Sequence, residues 1–322
     1  MTDAFILKNE TLLCSQTSTG WMPIRTTLPL TDRDIATEPQ RYQSGRVELL
    51  ANSSAPNHSS HHKADASYEG CDAPAISAIT YDYALDNGID IPILSEIFDI
   101  TTTSGISTES MNSDNKVAFV PYRHLIAELP FALASQISQA IQLLRWQADT
   151  QFCSRCGTRA IQASLGERAM VCPNCHLRQY PRVQPCVITA ITRDNPQTGE
   201  MQILMAHHHR YGKQTLPLQY GLIAGFVEVG ESLEHAVVRE VLEEVGIRLT
   251  DIRYVSSQPW PFPSNLMLGF RACYASGDLV LQEDELSHAD FFDVSHLPKI
   301  PPKGSIAYAL IAQITQEQGV CL

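Results

Sequence analysis

From Ser232 to Gly246 apolar residues recur at Leu233, Val237, Val241 and Val245, the stripe of a helix packed along one side. Ser232 is placed to cap its start, and Gly246 to take the left-handed conformation that ends it. Around it lie runs that read as strands: Pro185 to Ile191, Gln202 to Ala206 across a turn at Asn195-Pro196 to Gly199, then Leu222 to Phe226, Ile252 to Val255, Met267 to Tyr274 and Ala289 to Phe292. A last helix is predicted over roughly Ser305 to Gln316, which makes this half of the chain a mixed α/β sandwich.

The first half is less regular. Residues 1 to about 50 show no clear period, and the short segment from Ile89 to Phe98 is followed by a strand at Val117 to Val120. Pro130 to Ala148 carries Leu133, Ile137, Ile141, Leu144 and Trp146 at near-helical spacing. The Ser, Asn and His-rich run from Ala51 to Ala66, with His58, His61 and His62, and the polar stretch from Thr101 to Lys116 read as solvated insertions. The expected domains are an N-terminal α/β domain over 1–145, a small module over 146–180 and the sandwich over 181–322, an α+β chain as a whole.

Composition narrows the function. Of 322 residues 44% are hydrophobic and 18% charged, enough to bury a core. Lys plus Arg number 23 and Asp plus Glu 35, and the resulting −12 disfavours an extended groove for a phosphate backbone. No apolar run approaches the ~18 residues of a membrane span, and Met1 to Glu10 lacks the basic-then-apolar pattern of a secretory signal, so the expectation is a soluble cytoplasmic protein.

Nine cysteines in such a chain argue for metal or chemistry rather than disulfides. Cys153 and Cys156 form one C-x-x-C, Cys172 and Cys175 a second, fifteen residues apart, which is zinc-ribbon spacing. Gly157 after the first pair and Pro173-Asn174 inside the second suit tight knuckles. Four thiolates close a tetrahedron with no open position, so one structural Zn²⁺ per subunit is expected. Cys14, Cys71, Cys186, Cys273 and Cys321 read as small apolar residues.

The chemistry concentrates on the capped helix. Gly225, Glu231, Arg239, Glu240, Glu243, Glu244 and Gly246 form G-x5-E-x7-R-E-V-L-E-E-V-G-I. At ~100° per residue the three helix acids share an arc of about 100°. Clustered anions repel unless a cation lies among them, and the natural occupant is a hard divalent ion, Mg²⁺ or Mn²⁺, several per site. Arg239 can orient or partly neutralise one acid.

This segment resembles the Nudix box without a mismatch. Ser257 to Pro263, S-Q-P-W-P-F-P, is similar to the array marking the NADH pyrophosphatase branch of the Nudix hydrolase superfamily. The preceding ribbon, Tyr180-Pro181-Arg182 after it, and Pro301 to Ala307 before the closing helix follow the same branch, over about residues 150 to 310. The resemblance implies a Nudix α/β/α sandwich with a mixed sheet. It implies metal ligands at Glu240, Glu244, Glu285 and the Ala224 carbonyl, with Glu243 a further ligand or the base, and Glu243, Glu240 and Arg239 as the catalytic group. It implies substrate contacts at Arg123, Glu167, Tyr180, Phe226, Gln258, Trp260, Phe262 and Ala307. Where the family array places a Ser, this chain has Asn265 preceded by Ser264, either of which can supply the polar contact.

The expected activity is metal-dependent hydrolysis of the pyrophosphate of NADH or NAD⁺ to nicotinamide mononucleotide, reduced or oxidised, and AMP. Removal of NAD caps from RNA 5′ ends is a further expectation, held at one capped end rather than along a groove. Two alternatives stay open: a Nudix hydrolase acting mainly on ADP-ribose or another dinucleotide, and a zinc-ribbon binding module with a vestigial box. By the same resemblance the protein is expected to be a homodimer.

Overall fold

Residues 2 to 17, within a stretch that carries no period, supply the middle of a sheet. The structure, a computed structural model, describes residues 2–18, 20–28, 46–49, 77–89, 91, 98–99, 116–126, 128–163, 167–209 and 217–322. They fall into two compact units, Met1–Arg182 and Val183–Leu322.

In the first unit the elements are β1 (Thr2–Lys8), β2 (Thr11–Thr17), β3 (Gly20–Pro23), β4 (Arg25–Leu28), β5 (Arg46–Glu48), β6 (Ser77–Thr80), α1 (Tyr81–Asp86), β7 (Phe98–Asp99), β8 (Val117–Pro121), α2 (Tyr122–Leu125) and α3 (Phe131–Asp149). The sheet runs β5-β6-β1-β2-β8-β7, with β3 paired to β2 and β4 to β1. Ala4 to Leu7 and Leu12 to Cys14 are buried at every position. A strand covered on both faces needs no polar alternation, which is why the sequence pattern missed it. Ala4, Ile6, Leu13 and Phe119 pack with Tyr83 and Ala84 of α1 in one cluster. The insertion from Ala51 to Ala66 with its three histidines, and nearly all of Thr101 to Lys116, lie outside the described residues, as does Cys71.

The cysteine module follows in the same unit with β9 (Ile161–Gln162), β10 (Met170–Val171) and β11 (Arg178–Gln179), antiparallel in the order β11-β10-β9.

The second unit contains β12 (Gln184–Asp194), β13 (Met201–His208), β14 (Ile223–Phe226), α4 (Leu233–Val245), β15 (Arg248–Trp260), β16 (Asn265–Ser276), β17 (Leu286–Asp293) and α5 (Ile306–Glu317). Its sheet is mixed, β15-β16-β12-β13-β17 with β14 on β12, and β12 runs parallel to β16 while the other pairings are antiparallel. Side chains alternate between faces as a strand requires. Ile188 and Ala190 of β12 and Ile203 and Met205 of β13 pack with Leu310, Ile311 and Ile314 of α5. Ile191 of β12 and Leu204 and Ala206 of β13 pack with Val241 and Val245 of α4. One helix on each face of a mixed sheet is an α/β/α sandwich. The strand read at Ile252 to Val255 is part of the 13-residue β15. That strand carries polar residues along exposed positions, so the apolar pattern marked only its middle.

Both helix caps form as expected. Ser232 Oγ accepts from the His235 amide at 3.2 Å, and Gly246 ends α4 at φ 74°. Ser305 Oγ accepts from the Tyr308 amide at 3.2 Å to start α5. Among the described residues no helix is long and apolar enough to cross a membrane.

Candidate functional site

Helix α4 sorts its three acids by depth. The Glu243 side chain is 53% exposed, that of Glu240 15%, and Glu244 as a residue 2%. The arc of about 100° that joins them on a helical wheel therefore spans solvent at one edge and core at the other. Ala236 and Glu244 complete the buried stripe with Val237, Val241 and Val245.

Arg239 holds the outer half of this group. Its Nε and one terminal nitrogen donate to the two oxygens of Glu231 at 2.8 and 2.9 Å, a bidentate pair. The other terminal nitrogen donates to Glu240 Oε1 and Glu243 Oε2, both at 2.9 Å, and Arg239 also reaches the Phe226 carbonyl at 2.8 Å. Glu231, which the sequence marks only by spacing, is thus the main anchor of the arginine, and Glu231 Oε2 also accepts from the Glu228 amide at 3.0 Å. The arginine holds the Glu231 carboxyl down at about 2. Burial pushes the Glu240 carboxyl above its ordinary value, against the pull of Arg239 and with the push of Glu243 and Glu285.

Beneath Glu240 runs β14, where Ala224 pairs with Ile188 and Gly225 with Val187 of β12. A Cβ built on Gly225 would lie 1.9 Å from Glu240 Cδ. Only glycine lets the carboxylate rest against the strand backbone beside Ala224, whose carbonyl is an expected ligand.

The inner acid has other neighbours. Ligand atoms of Glu244, Glu285 and His208 all lie within 4.8 Å of one another, with His208, like Glu244, 2% exposed. Three features bring them together. His208 ends β13, the Gln282 amide donates to the Glu244 carbonyl at 2.9 Å, and the His209 amide donates to the Glu285 carbonyl at 3.0 Å. A bulge leaves Ser287 between the His207–His288 and His208–Leu286 pairs, and Ser287 Oγ donates to the His207 carbonyl at 3.2 Å. A buried carboxylate, a second carboxylate and an imidazole suit a divalent ion. His208 was missed by the sequence reading. The signal was available, since Leu204, Ala206 and His208 alternate onto the α4 face.

The proline-rich array forms the end of β15 and the hairpin into β16, with Gln258 opposite Met267 and Trp260 opposite Asn265. The Trp260 and Phe262 rings meet edge to face with centroids 5.2 Å apart. Gln258, expected to meet the substrate, is engaged at the start of α5. Its Nε2 donates to the Gly304 carbonyl and its Oε1 accepts from the Ile306 amide, each at 2.7 Å. It thereby positions buried Ala307. Asn265 is buried, with Nδ2 on the Phe262 carbonyl at 3.4 Å and no hydrogen-bond partner for Oδ1 among the described residues, while Ser264 is half-buried. Phe226 is 49% exposed.

Within the first unit, Tyr180 donates to Glu167 Oε1 at 2.9 Å, and Arg178 pairs with Glu167 Oε2. Arg123 lies exposed on α2. The four ribbon thiols gather with Sγ–Sγ separations of 3.4 to 3.6 Å for three pairs. Zinc–sulfur bonds of about 2.3 Å place tetrahedral sulfurs about 3.8 Å apart, so the donor set fits Zn²⁺. The knuckles match each other. The Arg155 and Cys175 amides each donate to the first thiol of their loop at 3.4 Å. Gly157 and His176 turn with φ 73° and 57°. Hydrogen bonds with Thr158 pull the Cys156 thiol down to about 6, while burial and the neighbouring thiols push the Cys175 thiol up to about 11, so without metal the cluster shares its protons unevenly.

Comparison with known proteins adds two domain matches: the NUDIX domain over residues 184–314, and the NADH pyrophosphatase zinc ribbon domain over residues 148–180. The chain is 43% identical over 195 residues to the NAD-capped RNA hydrolase NudC of Pseudomonas aeruginosa strain LESB58, covering 61% of this chain and 66% of that one. It is 47% identical over 175 residues to that of Klebsiella pneumoniae strain 342, covering 54% and 63%. It is 43% identical over 188 residues to that of Escherichia coli O9:H4 strain HS, covering 58% and 68%. The chain spans about two thirds of the length of the curated relatives it matches.

Proposed function

The chain belongs to the NudC family of Nudix hydrolases, and from that premise we propose that it hydrolyses the pyrophosphate bond of NADH and NAD⁺ to the corresponding nicotinamide mononucleotide and AMP. The same site removes NAD caps from RNA 5′ ends. One observation carries the reading: Glu244, sunk in the packed face of α4, meets Glu285 and His208 with ligand atoms within 4.8 Å of one another.

Glu240, Glu244, Glu285 and the Ala224 carbonyl would hold the divalent ions, Mg²⁺ or Mn²⁺. Such ions, when bound, supply Lewis acidity to the attacking water and to the charge that builds on the phosphate oxygens. Glu243 is the base: its Oε2 is fixed by Arg239, which leaves Oε1 of a half-exposed carboxylate to take the proton from water. Arg239 orients Glu240 and Glu243 together, and Glu231 holds Arg239 in place. Trp260 and Phe262 offer rigid apolar surface to the dinucleotide, with Phe226, Ser264, Asn265 and Ala307 as further contacts within the second unit. The protein works in the cytoplasm as a homodimer, built of an N-terminal domain over 1–145, a ribbon over 146–180 holding one structural Zn²⁺, and a catalytic domain over 181–322.

Glu244→Gln tests the reading, because it keeps the shape of the buried side chain and removes its charge. NADH turnover at saturating Mn²⁺ is expected to fall by on the order of 10²- to 10³-fold. Unchanged turnover refutes the role of the helix acids. Higher kcat/KM on ADP-ribose than on NADH reassigns the substrate.

A further inference from the structure

Beside the Glu244 and Glu285 carboxylates lies one nitrogen donor, the His208 ring. We propose that the His208 imidazole ligates the ion held by Glu244 and Glu285, and that this makes the inner position select Mn²⁺ over Mg²⁺. The proposal rests on reading the helix acids as the metal centre.

His208 is placed there by the fold rather than by chance exposure. It is 2% exposed at the last position of β13, where the strand puts it on the face covered by α4. Its ring lies within 4.8 Å of a carboxylate that is itself 2% exposed. A buried carboxylate is costly to keep ionised unless a cation is next to it. The segment carrying Glu285 is tied back on both sides. It is held to α4 through the Gln282 amide on the Glu244 carbonyl, and to β13 through the His209 amide on the Glu285 carbonyl. His209 adds a ring contact of 2.9 Å to the Glu283 carbonyl. The three donors thus come from β13, α4 and the loop before β17, each fixed by backbone hydrogen bonds, as a ligand set needs.

The mixture of donors decides the ion. Mg²⁺ takes oxygen ligands in near-ideal octahedral geometry and keeps several waters; Mn²⁺ also favours oxygen donors but, as the softer ion, accepts an imidazole more readily than Mg²⁺ does. A site of one imidazole and two carboxylates therefore gains more with Mn²⁺ than with Mg²⁺. Glu240 and the Ala224 carbonyl offer oxygen donors only and carry no such preference.

The rival arrangement for the same atoms is a His208–Glu244 ion pair that binds no metal through nitrogen, and electron spin echo modulation separates the two. Full-length protein with its ribbon zinc in place is titrated with Mn²⁺ alone. The native protein is expected to show ¹⁴N modulation from a coordinated imidazole, abolished by histidine labelled with ¹⁵N. His208→Gln is expected to lose that modulation, and His235→Gln, exposed on α4, to keep it. The variant is also expected to lose Mn²⁺ affinity by at least the ~10-fold that removing even an outer partner of a ligand costs, with a smaller change for Mg²⁺. Mn²⁺ bound by the native protein without nitrogen modulation, or with modulation that survives in His208→Gln, overturns the proposal and leaves the carboxylate centre standing. Absence of nitrogen modulation in the native protein overturns the proposal even if His208→Gln fails to fold, and His208→Asn is the second variant expected to lose the modulation. No Mn²⁺ bound at the helix overturns both readings.

Discussion

Gly225 and Glu240 occupy the same space: a methyl group on the first would sit 1.9 Å from the carboxyl carbon of the second. The glycine that opens the motif is therefore a condition for where its central acid can lie. The clash is with the far end of a flexible side chain, so a substitution displaces the carboxylate rather than the strand.

Gly225→Ala is accordingly expected to fold and to fail in catalysis. Displacement of a reacting group by about 1 Å costs on the order of 10²-fold, and kcat/KM for NADH is expected to drop by about that much. The thermal midpoint stays near that of the native protein. Native kcat/KM in this variant refutes the role given to the close approach.

Acid and base act on this site with opposite signs. Burial raises the Glu240 carboxyl, so its contribution to the metal-free fold is fully present below about pH 4.3, the ordinary Glu value, and is lost as pH rises through the raised one. Glu231, held at about 2 by Arg239, contributes above that ordinary value and loses its contribution as pH falls toward about 2. Glu240→Gln, permanently uncharged, is expected to melt with the native protein in acid and above it at neutral pH, when no Mg²⁺ or Mn²⁺ is added. Parallel melting curves across the range contradict this assignment. With Glu240 as the proposed metal ligand, protons and metal are expected to compete there, which places the acid limb of kcat/KM above pH 4.3.

The ribbon thiols are expected to hold one zinc per chain. Cys172→Ser leaves three thiolates and is expected to release the metal, as read by elemental analysis of the purified protein. Structural zinc contributes about 10–16 kcal/mol in small modules, so the ribbon loses order with it, detectable as amide exchange across residues 152–179. Full zinc content in the variant would falsify the four-thiolate assignment.

Gln258 bridges the proline-rich strand and the start of α5. Gln258→Leu removes both 2.7 Å bonds, to Gly304 and Ile306, and is expected to cost about 1–2 kcal/mol. Urea unfolding should show a lower midpoint with an unchanged slope. A midpoint equal to the native one indicates that the amide does not hold the helix.

Much of the site is legible along the chain because its logic is local. The G-x5-E-x7-R-E pattern, the cap at Ser232, the left-handed Gly246 and the paired cysteines all depend on spacings within a turn or a knuckle, and the caps and the cysteine cluster take their expected form. Depth is not local. Glu243 and Glu244 are adjacent in sequence, yet one is half exposed and the other sealed, because only the sheet beneath α4 distinguishes the two sides of the helix.

By itself the sequence determined the type of donor and its order: acids one helical turn apart, thiols two residues apart, prolines stiffening one strand. Tertiary structure decided which donors meet. The central strands β1 and β2 show no alternation because both their faces are covered. His208 reaches Glu244 and Glu285 through a bulged strand pairing, and Gln258 reaches a helix start 46 residues on. Spacing carries short-range geometry. Contacts between distant segments depend on how the strands cross, which no local period records.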